Sequence, residues 1–320
     1  RPVKVLIKDD GSKGKAAQAA YRTLIKNERV DLVFGPFSSA ITLSVAPVVD
    51  GLGYPMLAPG AASDKIWQPC RKNIFGMWTP ASRYSVGIFK LALLNNLKKV
   101  GIVIADDPFS VSVGSVAKKW APRLGLKVVV FEKFKKFTKD LTALARKARD
   151  SGVELLVVGG HFRASVDMRL SMDRIGWYPK AYFATIGPVQ HLYKKTLGQK
   201  AEFSLATSIW EPHEKLNFPK SREFVTQFSK MHQRTPTYQA ATAYAAGQII
   251  ETAVHRAGSL KPDKVRQALF DLDTYSIIGR YAVNKCGMQV KRFPLTIQWQ
   301  GGKKEIVWPK DLRTKELIIR

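Results

Sequence analysis

Runs of successive apolar residues alternate with amphipathic stretches along most of the chain. The runs VGIVIA, KVVVF and ELLVVGG are apolar at every or nearly every position, which is typical of strands buried on both faces of a parallel sheet. The stretches between them place apolar residues at helical spacing. This pattern predicts repeated strand–helix units and a doubly wound α/β fold.

The late part of the chain breaks this rhythm, because three predicted helices follow one another after residue 220. The break is explained if the chain returns to complete an earlier lobe, and no Gly/Ser-rich or Pro-rich linker separates two independent domains. We predict helices at about residues 15–26, 82–96, 113–124, 140–151, 164–175, 221–231, 240–257 and 262–270. A further helix is predicted to follow the second strand and to end at about residue 49. We predict strands at about residues 3–10, 30–37, 54–60, 98–107, 126–134, 153–161, 180–186, 201–210, 278–284, 293–299 and 303–308.

Length and composition fit a folded chain of two packed units. The 320 residues exceed the usual size of one core, and 45% hydrophobic with 24% charged residues is an ordinary globular balance. No apolar run approaches the roughly 20 residues of a membrane-spanning helix. The first residues lack the regions of a signal peptide, so we expect a mature exported form.

The chain is strongly basic, with 52 Lys and Arg against 25 Asp and Glu and a formal charge of +27. Such a charge favours anionic partners in general. However, the basic residues are scattered over the polar faces of amphipathic segments, and no zinc-finger, RNA-binding or basic-zipper pattern accompanies them. We therefore expect no nucleic-acid partner.

Signals of catalysis and of metal binding are absent from the sequence. It contains no phosphate-binding loop, dinucleotide fingerprint, nucleophile elbow or zinc-protease motif, and the five histidines lack the spacing of metal ligands. We expect no enzyme activity, no metal and no cofactor. Cys70 and Cys286 could form at most one disulfide, and we expect two free, mostly buried thiols.

Small and hydroxyl residues follow two of the predicted strands. In open α/β sheets, ligands bind beyond the carboxyl ends of strands, where helix N-termini present free N–H groups. Ser38 and Ser39 lie at one such junction, and Gly60, Ala61, Ala62 and Ser63 lie at the next. These residues are candidates for binding a carboxylate, although, taken alone, they are explained more simply by helix capping and tight turning.

Taken in order, several segments resemble the periplasmic solute-binding proteins of the leucine/isoleucine/valine-binding family, which serve ATP-driven importers. The resemblance extends over nearly the whole chain. It is carried by the segments RPVKVLIKDDGSKGKAAQAA, VFGPFSSA, YPMLAPGAAS, IADDPFS, VVGGHF, AATAYAAGQII and FPLTIQWQGGKKEIVWP.

The resemblance implies two Rossmann-like lobes with mainly parallel sheets, joined by a hinge of three segments that closes on the ligand. Lobe one would comprise residues 1–97 and 212–276, and lobe two residues 98–211 and 277–320. Family members open with a further strand and helix, so the first strand and helix of lobe one are expected to be missing from this sequence.

The resemblance also implies a set of ligand contacts. Ser39 matches the serine that binds the ligand carboxylate, and Ala61 and Ala62 match the small residues beside it. The position of Phe109 usually holds a tyrosine in the family, so its ring remains while the hydroxyl is lost. For each aromatic residue taken alone, core packing is the more ordinary role. The remaining candidate contacts are Ser38, Gly60, Trp78, His161, Phe162, Ile186, Tyr238 and Gln239.

One departure from the family concerns the acidic residue that pairs with the ammonium group of an amino acid. It should lie near Thr185 to Gly187, and the sequence ATIGPV has no carboxylate there. We therefore favour a carboxylate with an apolar or aromatic body over a branched-chain amino acid, although Asp106 or Asp107 could supply the acid.

These observations predict the extracytoplasmic binding of a small carboxylate-bearing solute, an amino acid or an aromatic or aliphatic acid, and its delivery to the permease of an ABC importer. We expect a periplasmic monomer. Two alternatives stay open, a ligand-sensing regulatory domain of the same fold and an enzyme acting on an anionic substrate. We also expect that removing the Ser39 hydroxyl weakens binding with little effect on folding.

Overall fold

The computed structural model describes residues 3–320, which contain ten helices and twelve strands. The helices are α1 (Gly14–Arg22), α2 (Ser39–Gly51), α3 (Val86–Leu94), α4 (Pro108–Arg123), α5 (Thr142–Asp150), α6 (Phe162–Arg174), α7 (His191–Leu197), α8 (Ser221–His232), α9 (Tyr238–Ala257) and α10 (Pro262–Asp271). The strands are β1 (Val33–Phe34), β2 (Met56–Ala58), β3 (Ile74–Gly76), β4 (Lys99–Ala105), β5 (Lys127–Phe134), β6 (Leu155–Gly159), β7 (Ala181–Ala184), β8 (Ser204–Ser208), β9 (Thr274–Ser276), β10 (Gly279–Tyr281), β11 (Leu295–Gln300) and β12 (Lys303–Trp308).

The chain divides into two compact units. Unit 1 comprises Arg1–Pro80, Phe218–Met231 and Gln239–Arg292, and unit 2 comprises Ala81–Asn217, His232–Tyr238 and Phe293–Arg320. The lobe limits implied by the family resemblance differ from these units at residues 81–97, 212–217, 232–238 and 277–292, and they stay a prediction.

Unit 2 is built on a seven-stranded sheet in the order β12-β11-β8-β7-β6-β4-β5. Its five strands from β4 to β8 are parallel, and β11 and β12 extend the sheet in antiparallel pairing. Alternate residues of β4 enter different cores, with Ile102 and Ile104 on one face and Val103 on the other. Both faces of the sheet are therefore covered, which explains the unbroken apolar runs of the sequence.

Unit 1 contains a three-stranded parallel sheet in the order β1-β2-β3 and a separate antiparallel pair, β9 and β10. The helices α1 and α2 belong to this unit, and residues of both pack into a core with Met56 and Ile74. The α/β fold class with mainly parallel sheets is confirmed.

The strand predicted at residues 3–10 is wrong. These residues form no strand, and Val3, Val5 and Ile7 are 86%, 73% and 85% exposed. Alternation of apolar and polar residues gives only a local preference, whereas a strand needs backbone partners on a neighbouring strand. The short elements β3, β9 and α7 were not predicted, because their few residues carry little periodicity.

The two cysteines are not the free thiols that we expected. Cys70 and Cys286 form a disulfide within unit 1, with their Cα atoms 4.3 Å apart across a sequence separation of 216 residues. The bond joins the segment after β2 to the returning chain before β11. Pairing over such a separation is a property of the tertiary fold and leaves no local signal in the sequence.

Candidate functional site

One group of candidate residues lies in unit 1, at the N-terminus of α2. Ser38 caps this helix, and its hydroxyl oxygen accepts the N–H of Ile41 at 3.5 Å. Ser39 is 6% exposed, and its Oγ accepts the N–H groups of Ala62 and Ser63, both at 3.1 Å. An oxygen that accepts two hydrogen bonds still carries its own hydrogen, so the Ser39 hydroxyl can donate to a further acceptor.

The turn after β2 lies against this hydroxyl. A β-carbon at Gly60 would overlap the ring of Phe37, so a larger residue there would require that ring to move. Ala61 is completely buried, and within the described residues 3–320 no hydrogen bond is seen at its N–H. Buried backbone N–H groups are nearly always paired in proteins, so this N–H offers a donor to a bound anion. The N–H of Ala62, by contrast, is engaged by Ser39.

The hydrogen bonds of Ser39 change the expectation that removing its hydroxyl has little effect on folding. Replacing Ser39 by alanine would remove a ligand donor, and it would also leave the N–H groups of Ala62 and Ser63 without their acceptor. Each unsatisfied buried group costs about 1–3 kcal/mol. We therefore expect folding to depend on this hydroxyl, in addition to its predicted role in binding.

Aromatic rings stand beside the turn. Trp78 is 3% exposed, and its ring meets that of Phe37 edge to face at a centroid distance of 5.9 Å. Phe37, which covers Gly60, is 43% exposed. The candidate Trp78 is thus largely a core residue, and Phe37 presents the more accessible ring of the pair.

Another group of candidate residues lies in unit 2, where β4 and β6 end side by side. Phe109, in the first turn of α4, is stacked between two rings: Tyr84 at 5.3 Å, edge to face, and His161 at 5.3 Å, tilted by 38°. His161 precedes α6, and its side chain is 46% exposed. The parallel pairing of β4 with β6 brings these predicted residues together.

Asp107 contacts both Phe109 and His161. Its Oδ1 accepts the N–H groups of Phe109 and Ser110 at 3.1 Å, and its Oδ2 accepts the Ser110 hydroxyl at 2.6 Å. The Nε2 of His161 lies 3.4 Å from Oδ1. Burial would raise the pKa of Asp107, but the hydrogen bonds and charge of His161 together with the bonds from Ser110 outweigh it, so the pKa lies well below its usual range. This carboxylate is therefore ionised and already bonded.

The absence of a carboxylate near the end of β7 is visible in the structure. Ile186 is 8% exposed and precedes a short 3-10 turn at Gly187–Val189. The hydroxyl of Thr185 donates to the carbonyl of Gly160 at 2.7 Å and accepts its N–H at 3.0 Å. The alternative sources of an acid are also engaged, because Asp107 caps α4 and Asp106 accepts a backbone N–H beyond β5 at 2.8 Å.

The other candidates are less closely grouped. Phe162 packs against a core cluster that includes Val166 and Trp299. Tyr238 is the first residue of α9, is 5% exposed, and has a pKa well above its usual range, mainly because of burial and partly because of the Glu211 charge. Gln239 follows it and is half-buried. Their ligand roles stay predictions.

Sequence reasoning missed two neighbours of the candidates, Phe37 and Tyr84, and it gave Asp107 a different role. For Asp107 a signal existed, because Asp followed by Pro at the first helical position is a typical helix start. The α4 helix accordingly begins at Pro108, five residues before the predicted start near Val113. Phe37 and Tyr84 became visible only through the fold.

Two further properties of residues 3–320 concern metal binding and membrane crossing. These residues contain no cluster of three or more His, Cys, Asp or Glu side chains placed to hold a metal ion. None of their helices combines the length and apolar composition that crossing a membrane requires.

Two α/β units with polar donors and aromatic rings at the ends of parallel strands are the features of a solute-binding protein. The chain matches the periplasmic binding protein family over residues 1–303, and it belongs to that family. The family and the solved structures similar to this chain are substrate-binding proteins rather than enzymes.

Similar curated proteins come from several bacteria. The leucine-, isoleucine-, valine-, threonine- and alanine-binding protein of Pseudomonas aeruginosa is 25% identical over 305 residues, covering 92% of this chain and 78% of that protein. The Leu/Ile/Val-binding protein homolog 7 of Brucella suis is 22% identical over 342 residues, covering 98% and 83%. These relatives confirm the resemblance to the leucine/isoleucine/valine-binding family.

Solved structures share the fold. The branched-chain amino acid binding protein LivJ of Streptococcus pneumoniae, in complex with isoleucine, superposes with a TM-score of 0.84 at 19% identity, covering 96% of this chain and 87% of that chain. The leucine-binding protein LivK of Thermotoga maritima has a TM-score of 0.83 at 20% identity, covering 93% and 85%.

Proposed function

We propose that this protein binds a small carboxylate-bearing solute outside the cytoplasm and delivers it to the permease of an ABC importer. The observation that carries the proposal is the donor group in unit 1. The Ser39 hydroxyl and the buried N–H of Ala61 present hydrogen-bond donors at the N-terminus of α2. A carboxylate is the ligand group that such donors and the positive end of a helix favour.

The proposed solute is an amino acid or an aromatic or aliphatic acid, with an apolar or aromatic body preferred. Phe37 in unit 1, which is 43% exposed beside Gly60, supplies a ring for such a body. No free carboxylate follows β7, and Asp107 is engaged by its own helix. An ammonium group would thus be desolvated with little compensation, which costs several kcal/mol.

An extracytoplasmic location is supported by two observations. Members of the matched family are periplasmic binding proteins by description. The disulfide between Cys70 and Cys286 also fits an oxidising compartment, since disulfides are rare in reducing cytosol.

A ligand screen by thermal unfolding tests the proposal. A solute present at 100 times its Kd adds about 2.7 kcal/mol to stability, so a true ligand raises the melting temperature clearly. We expect benzoate or short aliphatic acids to do so more than leucine or valine. A larger shift with leucine would restore the amino-acid assignment, and turnover of any added solute would favour an enzyme instead.

Hinge closure and delivery are tested separately. We expect saturating ligand to change the small-angle scattering profile, as closure of a hinged protein does, and identical profiles with and without ligand would contradict closure. We also expect cells that lack this protein to take up its ligand more slowly, and unchanged uptake at low solute concentration would argue against a role in import.

A further inference from the structure

Residues 118–139 of unit 2 concentrate positive charge. They include eight Lys and Arg and one acidic residue, Glu132, so that a formal +7 of the chain's +27 falls within 22 residues. All eight basic residues are exposed, and within the described residues 3–320 none of them forms an ion pair. The eight residues are Lys118, Lys119, Arg123, Lys127, Lys133, Lys135, Lys136 and Lys139.

The fold brings helix and strand residues of this segment together at one edge of the sheet. β5 is the last strand in the seven-stranded order, and α4 packs beside it, with the Lys118 ammonium 4.3 Å from the centre of the Phe131 ring. Glu132 pairs with Lys147 of α5, so its charge is already neutralised. The eight basic residues, together with Phe131 and Phe137, form the basic edge of unit 2.

An open groove of about 510 Å³ runs between α4 and β5. Leu126, Val128 and Phe131 give it an apolar lining, and Lys118 and Lys127 add two amino groups. The groove therefore combines an apolar surface with positive charge and is open to solvent.

Beyond the end of β5, the turn to α5 carries Phe137 on its outside. This ring is 84% exposed, and the Lys136 ammonium lies 5.4 Å from its centre. The turn is held by two hydrogen bonds of 2.8 Å, from the N–H of Thr138 to the carbonyl of Lys135 and from the N–H of Lys136 to Asp106. The ring is thus presented to solvent by a braced turn and is flanked by lysines.

Protection of the sheet edge explains only part of this pattern. Lysines on an edge strand prevent pairing with another chain, and Lys127 and Lys133 of β5 fit that role. It does not account for Lys118 on α4, for the lysines beyond the end of β5, or for the exposed ring of Phe137.

We propose that the basic edge binds the surface of a membrane that contains anionic phospholipids, with Phe137 inserted among the headgroups and the lysines around it facing lipid phosphates. Clustered basic residues are attracted to anionic leaflets, and an aromatic ring beside them adds apolar contact at the interface. An acidic peptide would satisfy the charges but offers less to an exposed ring. This surface is separate from the proposed solute site and adds a partner to it.

Sedimentation with lipid vesicles tests the proposal on the whole protein. One set of vesicles contains equal parts of phosphatidylglycerol and phosphatidylcholine, and the other contains phosphatidylcholine alone. We expect binding to the mixed vesicles at about 0.1 M salt and its loss at about 1 M, where the Debye length falls from about 10 Å to about 3 Å. We expect little binding to the neutral vesicles.

Two triple variants separate the basic edge from the overall charge of the chain. The first replaces Lys135, Lys136 and Lys139 by glutamine. The matched control replaces three other exposed lysines of unit 2 by glutamine and removes the same charge. Each lysine near an anionic surface strengthens binding by about fivefold, so the first variant should lose up to about a hundredfold in partition coefficient. The control should lose far less; its positions are Lys195, Lys303 and Lys310.

Insertion of the ring is tested at Phe137 itself. Phe137→Ser leaves the charge unchanged and should weaken binding to the mixed vesicles, whereas Leu94→Ser, at a residue 78% exposed on α3, should not. Cys70 and Cys286 are bonded to each other, so a polarity-sensitive dye on Phe137→Cys reports on this position alone. Its emission should shift to the blue when mixed vesicles are added.

Several outcomes would overturn the proposal. Equal losses in the two triple variants would show that only the net charge of the chain attracts the vesicles. Equal binding to neutral vesicles, or no binding to mixed ones, would exclude an anionic lipid surface. Binding to polyglutamate without binding to vesicles would assign the basic edge to an acidic polypeptide. An unshifted dye with bound vesicles would exclude insertion of the ring. Solute binding in unit 1 is tested independently by the ligand screen.

Discussion

Replacing Ser39 by alanine should weaken ligand binding and folding together. The Ser39 Oγ accepts the N–H groups of Ala62 and Ser63 at 3.1 Å, and its own hydrogen remains to be donated. The substitution removes the donor and both acceptor contacts in one step. The side chain is small and 6% exposed, so little packing is lost besides the hydroxyl.

The expected magnitudes follow from these three hydrogen bonds. A hydrogen bond to a charged carboxylate contributes about 1.5–3 kcal/mol, so affinity should fall by more than about tenfold. Two buried N–H groups without an acceptor cost about 1–3 kcal/mol each. The free energy of unfolding should therefore drop by at least about 2 kcal/mol.

Two measurements separate the effects. Isothermal calorimetry well below the melting temperature gives the affinity of the folded protein, and urea unfolding without ligand gives its stability. Ser44→Ala is the matched control, because Ser44 lies on the same helix and accepts a hydrogen bond from Gln18 at 3.0 Å. It should lose some stability and keep its affinity. Lower stability with unchanged affinity in the Ser39 variant would show that the hydroxyl only supports the turn and does not touch the ligand.

Three further predictions concern stability. Replacing both Cys70 and Cys286 by serine should lower the free energy of unfolding by up to about 5 kcal/mol, which is the chain-entropy estimate for a 216-residue loop. An unchanged urea unfolding curve would contradict this expectation. Gly287→Ala should lower the melting temperature of the protein far more than Gly258→Ala. Both glycines have positive φ, but only at Gly287 would a β-carbon overlap a backbone carbonyl oxygen of β3. Similar melting temperatures for the two variants would refute this reasoning. Hydrogen bonds from a lysine side chain and two backbone N–H groups lower the pKa of Glu154 from 4.5 to about 2. The stability that ionised Glu154 contributes is therefore present above pH 4.5 and lost as the pH falls toward 2. Glu154→Gln should lower the urea midpoint at pH 7 and make the midpoint depend less on acid pH. Parallel curves of midpoint against pH for the two proteins would argue against this role of Glu154.

Some elements could be predicted from the sequence because neighbouring residues in the chain determine them. The strands β4 and β6 are apolar on successive residues, since each strand is buried on both faces wherever it lies in the sheet. The start of α4 is similarly encoded by Asp107 followed by proline, although the helical periodicity alone placed it five residues too late. Ser39 and Gly60 could be singled out because small and hydroxyl residues after strands are typical of binding turns.

Tertiary structure decided the features that depend on distant partners. Residues 3–10 alternate like a strand, yet they form none, because backbone pairing requires a neighbour that alternation does not specify. The two cysteines meet across 216 residues, and the Ser39 hydroxyl meets the N–H of Ala62 across 23. Asp107 could be read as an acid for a ligand until the fold placed His161 against it. The sequence by itself determined the kinds of element and the residue types at the strand ends. Which groups pair with one another, and so which donors stay free for a ligand, was decided by contacts between residues far apart in the chain.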